Sequence, residues 1–268
     1  MPTQLETILA HTQAEVDERL KTANLRLLEQ RAASHQPRGF EARLRRVSEA
    51  GPAVIAELKK ASPSRGLIRA DFDPAVLARS LETAGAAALS VLTDERFFQG
   101  SLAYLEQASA AVTIACLRKD FMVHEFQMLE ARASRADAVL LIVAALTDER
   151  LAALRDEALR LELDILCEVH DAEELTRAVD LGFTIIGVNS RNLHTMQVKP
   201  ETQIELGALL PKSAVRVAES GLRTNADIAR MTAAGYSAFL VGESLMREPD
   251  PGQSLTALLK PEPATVLR

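Results

Sequence analysis

The sequence predicts an α/β protein, a closed (β/α)8 TIM barrel preceded by an N-terminal helical extension. Three observations carry that prediction. Eight short apolar runs, AVIAEL, ALSVLT, TIACLR, AVLLIV, DILCEV, IIGVNS, VRVAES and AFLVGE, start at residues 53, 88, 113, 138, 164, 185, 215 and 238. Each interval has room for a strand, a crossover helix and two loops. The runs are apolar on both faces, as parallel strands covered by helices must be. Eight such units in some two hundred residues close a barrel more naturally than they build an open doubly wound sheet, and no GxGxxG follows the first run.

The elements follow in order. Residues 3–35 read as polar helices, because Leu5, Ile8, Leu9, Val16, Leu20, Leu25, Leu27 and Leu28 recur at helical spacing among charges, and no strand signal precedes residue 53. Between the apolar runs, Asp73 before Pro74 marks a helix start, and Asp171 with Glu174 resembles a capping box. Gly85, Gly182 and Gly235 sit where C-terminal caps belong. The expected organisation is a helical extension over 1–50, a catalytic barrel over 51–260 and a frayed, proline-bearing tail over 261–268.

The chain has 268 residues, 47% hydrophobic and 25% charged, which excludes a disordered or fibrous class. Its 31 Lys and Arg stand against 37 Asp and Glu, a net charge of -6 that attracts neither nucleic acid nor an acidic membrane. Cys116 and Cys167 lie inside apolar runs and read as packed thiols of a reducing compartment. With no basic n-region before an apolar stretch, and no run of about 18 apolar residues, the expectation is a soluble, cytoplasmic protein.

Barrels of this kind carry their chemistry at the C-terminal ends of the strands. The first run ends Glu57-Leu58-Lys59-Lys60, with Glu57 and Lys59 on one face by period-two alternation. The third ends Arg118-Lys119-Asp120, the fifth Glu168-Val169-His170, the sixth Asn189-Ser190-Arg191 and the seventh Glu219-Ser220-Gly221. Buried together, such charges must pair, and a lysine in a desolvated mouth is expected to have a lowered pKa and to donate a proton near neutrality. Polar, glycine-bearing turns follow the first run (Ser62-Pro63-Ser64-Arg65-Gly66), the seventh (Ser220-Gly221) and the eighth (Gly242-Glu243-Ser244). Barrel loops seven and eight commonly cradle phosphate, so an anionic phosphorylated substrate is expected there. His11, His35, His124, His170 and His194 are too scattered for a metal site, and no cofactor fingerprint appears.

Taken together, the motifs Glu57-Leu58-Lys59-Lys60-Ala61-Ser62-Pro63-Ser64, Ser90-Val91-Leu92-Thr93-Asp94, Leu117-Arg118-Lys119-Asp120-Phe121, Glu168-Val169-His170-Asp171, Val188-Asn189-Ser190-Arg191-Asn192-Leu193, Ala218-Glu219-Ser220-Gly221 and Val241-Gly242-Glu243-Ser244-Leu245-Met246-Arg247 closely resemble the indole-3-glycerol-phosphate synthases of tryptophan biosynthesis, in order over residues 38–250. The resemblance implies a carboxy-lyase that closes the ring of 1-(2-carboxyphenylamino)-1-deoxyribulose 5-phosphate with loss of CO2 and water, and an N-terminal extension that helps close the site. It implies no metal and no cofactor; the expected partner is the phosphorylated small-molecule substrate, with no nucleic acid and no membrane. By matched motif Lys119 is the general acid at the ketone oxygen, Glu168 and Lys59 serve dehydration, and Glu57 positions Lys59 and shuttles protons. Asn189 and Glu219 hydrogen-bond substrate and intermediate, and Arg191 lies near the anthranilate carboxylate. Ser62, Ser220, Gly221, Gly242 and Glu243 cradle the phosphate, with Lys59 within reach of it.

The residue chemistry agrees. Turning a ketone into an alkoxide needs a positioned acid, and expelling a hydroxyl needs an acid and a base, which two lysines and three carboxylates supply. Phe97, Phe98 and Phe121 follow the second and third runs, where they could sandwich the aryl ring or pack their loops. The sequence departs from the family pattern at Ala115-Cys116, at Arg135, which replaces a helix-ending glycine, and at Ser190, His194 and Met196. Two other readings are a phosphoribosylanthranilate isomerase-like barrel and a non-catalytic phosphate-binding barrel. The first wants a Cys or similar base where Glu57 and Lys59 stand, and the second should have lost a proton-transfer residue.

Overall fold

Eight parallel strands close on themselves: β1 (Ala53–Leu58), β2 (Ala88–Leu92), β3 (Cys116–Lys119), β4 (Ala138–Ile142), β5 (Asp164–Val169), β6 (Ile185–Asn189), β7 (Val215–Glu219) and β8 (Ala238–Val241). Each pairs with its sequence neighbour, and β8 closes on β1 with Ala53 opposite Ala238. The computed structural model describes residues 3–191 and 198–260. Asn192, Leu193, His194, Met196 and the 261–268 tail lie outside the described residues.

The helices follow in chain order. The extension supplies α1 (Gln4–Thr22), α2 (Leu25–Ser34) and α3 (Phe40–Ser48). The crossovers supply α4 (Pro74–Thr83), α5 (Glu95–Phe98), α6 (Leu102–Ala111), α7 (Phe126–Ala133), α8 (Asp148–Arg160), α9 (Ala172–Asp180), α10 (Pro200–Gly207) and α11 (Asn225–Ala233). After β8 come the one-turn α12 (Glu243–Met246) and α13 (Pro251–Leu259). Asp73 caps α4, accepting from the N–H groups of Ala75 and Val76 at 3.0 Å each, with Pro74 in the first turn. Gly85, Gly182 and Gly235 take positive φ after their helices, as expected of C-terminal caps. Arg135 holds the same left-handed conformation, φ 68°, after α7, so the departure from glycine changes the residue and keeps the turn.

Strand alternation sorts the core into two layers. Val54, Ala56 and Leu58 pack outward against the helices, while Ala53 and Ile55 face the barrel interior with Leu117, Leu140, Leu166, Ile185, Val217 and Leu240. The same alternation sends Glu57 and Lys59 inward at the top of β1. At the opposite end, Phe40 and Leu44 of α3 are fully buried in the interior layer, so α3 plugs the bottom of the barrel.

The extension is fastened there by charge. Asp137, fully buried before β4, takes both oxygens to Arg38, with Nε at 3.0 and 3.1 Å, and accepts the Cys116 N–H at 2.6 Å and a 3.1 Å contact from His35. Gly39 begins α3 without a side-chain cap, and Asp164 of β5 supplies one by accepting the Glu41 N–H at 2.9 Å. Among the described residues no helix is long and apolar enough to cross a membrane.

Candidate active site

A cavity of about 600 Å³ opens at the C-terminal end of the strands. Glu57, Lys59, Lys119, Glu168, Asn189, Arg191 and Glu219 line its floor and wall, and Ser62, Ser220, Gly221, Gly242 and Glu243 line it from the loops after β1, β7 and β8. Leu5 and Ile8 of α1 also line it, so the first helix of the extension lies over the mouth.

The charges meet because three strands point them at one spot. Lys119 Nζ lies 2.8 Å from Glu168 Oε2 and 3.5 Å from Glu219 Oε2. Glu168 Oε1 accepts from Asn189 Nδ2 at 3.1 Å and stands 3.2 Å from His170 Nε2. Asn189 Oδ1 in turn accepts the Ser220 hydroxyl at 2.8 Å and the Arg191 N–H at 3.0 Å. On the other side Lys59 pairs with Glu57. The cavity thus holds two lysine–carboxylate pairs, one per side, with Glu219 beside the first.

These surroundings overturn the expectation of a lowered lysine pKa. Burial does disfavour the Lys119 ammonium, but Glu168, Glu219 and Glu57 outweigh it and hold Lys119 above its ordinary value. Its proton stays in place until a base stronger than an amine appears. Glu168 is also buried, yet Lys119 and His170 hold it well below the carboxylate range. Glu219 goes the other way, pushed up to about 8 by burial and by the neighbouring Glu168 charge. Burial beside an ionised Glu168 thus favours its protonated form.

Two glycines make room for these carboxylates. A Cβ on Gly187, in the middle of β6, would fall on Glu219 Oε1, and one on Gly242 would fall on Glu57 Oε1 and come within 2.8 Å of Glu57 Cβ. Gly242 therefore seats Glu57, and a side chain there evicts a carboxylate. Gly221 differs, because it needs φ 76° and follows Ser220 at φ 67°. Two successive left-handed residues turn the chain sharply after β7. In the loop after β8 the Glu243 side chain is engaged by Arg65 at 3.2 Å and Arg247 at 3.1 Å.

The aromatic residues divide. Phe98 and Phe121 line the cavity with ring centroids 6.3 Å apart. Phe97 does not line it, packing edge-on against His11 of α1 at 5.6 Å. Asp94 caps the single turn of α5, accepting from the N–H groups of Phe97 and Phe98, and the turn sends the adjacent rings apart.

Comparison with known proteins decides the family. The indole-3-glycerol phosphate synthase family profile matches residues 5–258. The chain belongs to the indole-3-glycerol phosphate synthase family. An indole-3-glycerol phosphate synthase of Koribacter versatilis (strain Ellin345) is 56% identical over 259 residues, spanning 97% of this chain and all of the relative. Membership makes this a carboxy-lyase of tryptophan biosynthesis acting on a small phosphorylated substrate. Among solved structures, a thiamine phosphate pyrophosphorylase from Pyrococcus furiosus is similar at TM-score 0.58 and 15% identity, over 79% of this chain and 95% of that one. A mandelate oxidase mutant with the monooxide FMN adduct is similar at TM-score 0.56 and 20% identity, over 78% and 70%. At those identities the likeness is one of fold alone.

Set against the synthase motifs, sequence reasoning missed Leu5, Ile8 and Gly187. The first two carry only a helical apolar pattern, which does not reveal what the helix covers. Gly187 was legible, since a glycine inside an apolar strand marks a close approach. His170 hydrogen-bonds Glu174 through Nδ1 and sets Nε2 against Glu168, and its side chain is only 12% exposed. Among the described residues no three His, Cys, Asp or Glu side chains are grouped as metal ligands.

Proposed function

We propose that this chain closes the indole ring of 1-(2-carboxyphenylamino)-1-deoxyribulose 5-phosphate on the Lys119–Glu168 side of the cavity and completes the dehydration with Glu168 and Lys59. The observation that carries this reading is the 2.8 Å pair between Lys119 Nζ and Glu168 Oε2 at the centre of the cavity. The substrate phosphate sits against Ser62 and the backbone of Ser220, Gly221, Gly242 and Glu243, with Lys59 within reach. That leaves the aryl group on the Phe98 and Phe121 side, and the anthranilate carboxylate is assigned to Arg191.

As the aryl carbon attacks the ketone, negative charge develops on the ketone oxygen. The alkoxide is a stronger base than the Lys119 amine, so Lys119 delivers its proton downhill. Loss of CO2 returns the electron pair to the ring. Lys59, held by Glu57, then protonates the departing hydroxyl, and Glu168 takes the proton whose loss completes the indole. Asn189 holds Glu168 in place, and protonated Glu219 donates a hydrogen bond to the intermediate. No step requires a metal or a cofactor. We place the enzyme in the cytoplasm, in keeping with two buried, unpaired cysteines.

The test is to mix purified protein with the carboxyphenylamino deoxyribulose phosphate and follow indole fluorescence and CO2 together. One CO2 per indole product is the expected result. An isomerised sugar without CO2, or tight binding without turnover, contradicts the reading and favours one of the two other barrels.

A further inference from the structure

Glu168 touches more than Lys119 and Asn189. His170 lies two residues further on, its Nε2 3.2 Å from Glu168 Oε1, and its other ring nitrogen Nδ1 lies 3.0 Å from Glu174 Oε2. The same Glu174 oxygen accepts the His170 backbone N–H at 2.8 Å. This corrects the capping box expected at α9. Asp171 does accept the Glu174 N–H at 2.9 Å, but the Glu174 carboxylate turns to His170. A carboxylate that ordinarily closes the cap is thus spent on fixing one imidazole.

We propose that His170, anchored by Glu174, is a positioning residue that keeps the Glu168 carboxylate aimed into the cavity and ionised while Lys119 is without its proton. The inference rests on the reading of Glu168 given above. Glu168 is faced by Lys119 from β3, Glu219 from β7 and Asn189 from β6, with Glu57 of β1 adding negative charge farther off. Lys119 is the one cation among these. Once it has given its proton to the substrate oxygen, Glu168 would be a buried carboxylate with no cation on its cavity side and would itself capture the next proton. A second cation behind Glu168 prevents that capture.

His170 is suited to the task. Burial works against its charge, but Glu168 and Glu174 together raise the imidazolium to about 10. The nearby Arg177 is turned away, its guanidinium bonded to Asp148 and to the carbonyls of Val143 and Leu146, so it does not compete.

The experiment measures kcat and KM from pH 3.5 to 9 for His170→Asn and Glu174→Gln. Without the cation, Glu168 protonates more readily, and the acid limb of kcat moves up by about one pH unit, a tenfold loss of turnover along that limb. Glu174→Gln should move it in the same direction by less, with KM nearly unchanged in both. An acid limb that stays at its wild-type position, whatever the rate, overturns the proposal and leaves His170 structural. If His170→Asn does not fold, Glu174→Gln decides alone. The nitrogen NMR shifts of the His170 ring in wild-type enzyme at pH 8 test the charge independently of Glu168, and a neutral ring overturns the proposal. Wild-type turnover by Glu168→Gln would contradict the reading of Glu168 itself.

Discussion

Lys119→Ala should lower turnover by roughly two to four orders of magnitude, the usual contribution of a positioned general acid. Lys119 ends β3 inside the cavity and is the ammonium nearest Glu168 and Glu219. Removing it deletes the proton proposed for the ketone oxygen and takes the ammonium away from Glu168 and Glu219. Substrate affinity should change much less, because the proposed phosphate grip lies on the loops after β1, β7 and β8. Lys119→Arg should not rescue the rate, since a planar guanidinium cannot place a single donor where the Lys119 ammonium sits between Glu168 and Glu219. Single-turnover fluorescence measures the effect. A rate within a few-fold of wild type would remove Lys119 from the role and make Lys59 the acid.

The second large effect concerns folding. Asp137→Ala strips the buried partner from Arg38 and the acceptor from the Cys116 N–H, and should cost about 3–5 kcal/mol, as breaking a buried ion pair does. Denaturant titration should show a lower midpoint at unchanged slope. The pH dependence has a definite sign. Although burial opposes the charge, His35 and Arg38 hold the Asp137 carboxyl below its ordinary value. Its contribution is therefore complete above the unfolded value of about 3.9 and is lost as the pH falls through the lower folded value. The stability gap between wild type and Asp137→Asn should accordingly narrow only in acid. A midpoint unchanged from wild type at pH 7 would show that α3 is held by Phe40 and Leu44 without help from this pair.

The barrel was legible because the strands are apolar runs at regular intervals and several crossovers carry readable caps, such as Asp73 before Pro74, and Gly85, Gly182 and Gly235. The third run shows where such reading stops. TIACLR begins at Thr113, but the strand begins at Cys116, because Glu82 of α4 accepts the N–H groups of Thr113 and Ile114 at 2.8 and 3.1 Å and holds them in a turn. A carboxylate thirty residues away leaves no local signature. The short hairpin of Ala61–Ser62 with Gly66–Leu67 was likewise read only as a polar turn.

In the site, the position of Lys119 could be read from the end of its apolar run, but its proton affinity could not. That depends on Glu168, Glu219 and Glu57 converging from β5, β7 and β1, an arrangement only the closed barrel creates. The same holds for Gly242, which reads as a phosphate-loop glycine and also makes room for Glu57. Phe97 and Phe98 are indistinguishable as neighbours in sequence until one helical turn separates them.

The central claim is that one bound substrate spans the phosphate loops and Lys119 at once. A crystal structure with the reduced substrate, in which an alcohol replaces the ketone and ring closure cannot start, measures this most directly. The account predicts the phosphate at Ser62, Gly221 and Glu243, with the alcohol oxygen within hydrogen-bond reach of Lys119 Nζ, about 2.6–3.2 Å. A phosphate bound elsewhere, or an alcohol oxygen held by Lys59 with Lys119 still closed on Glu168, would contradict it.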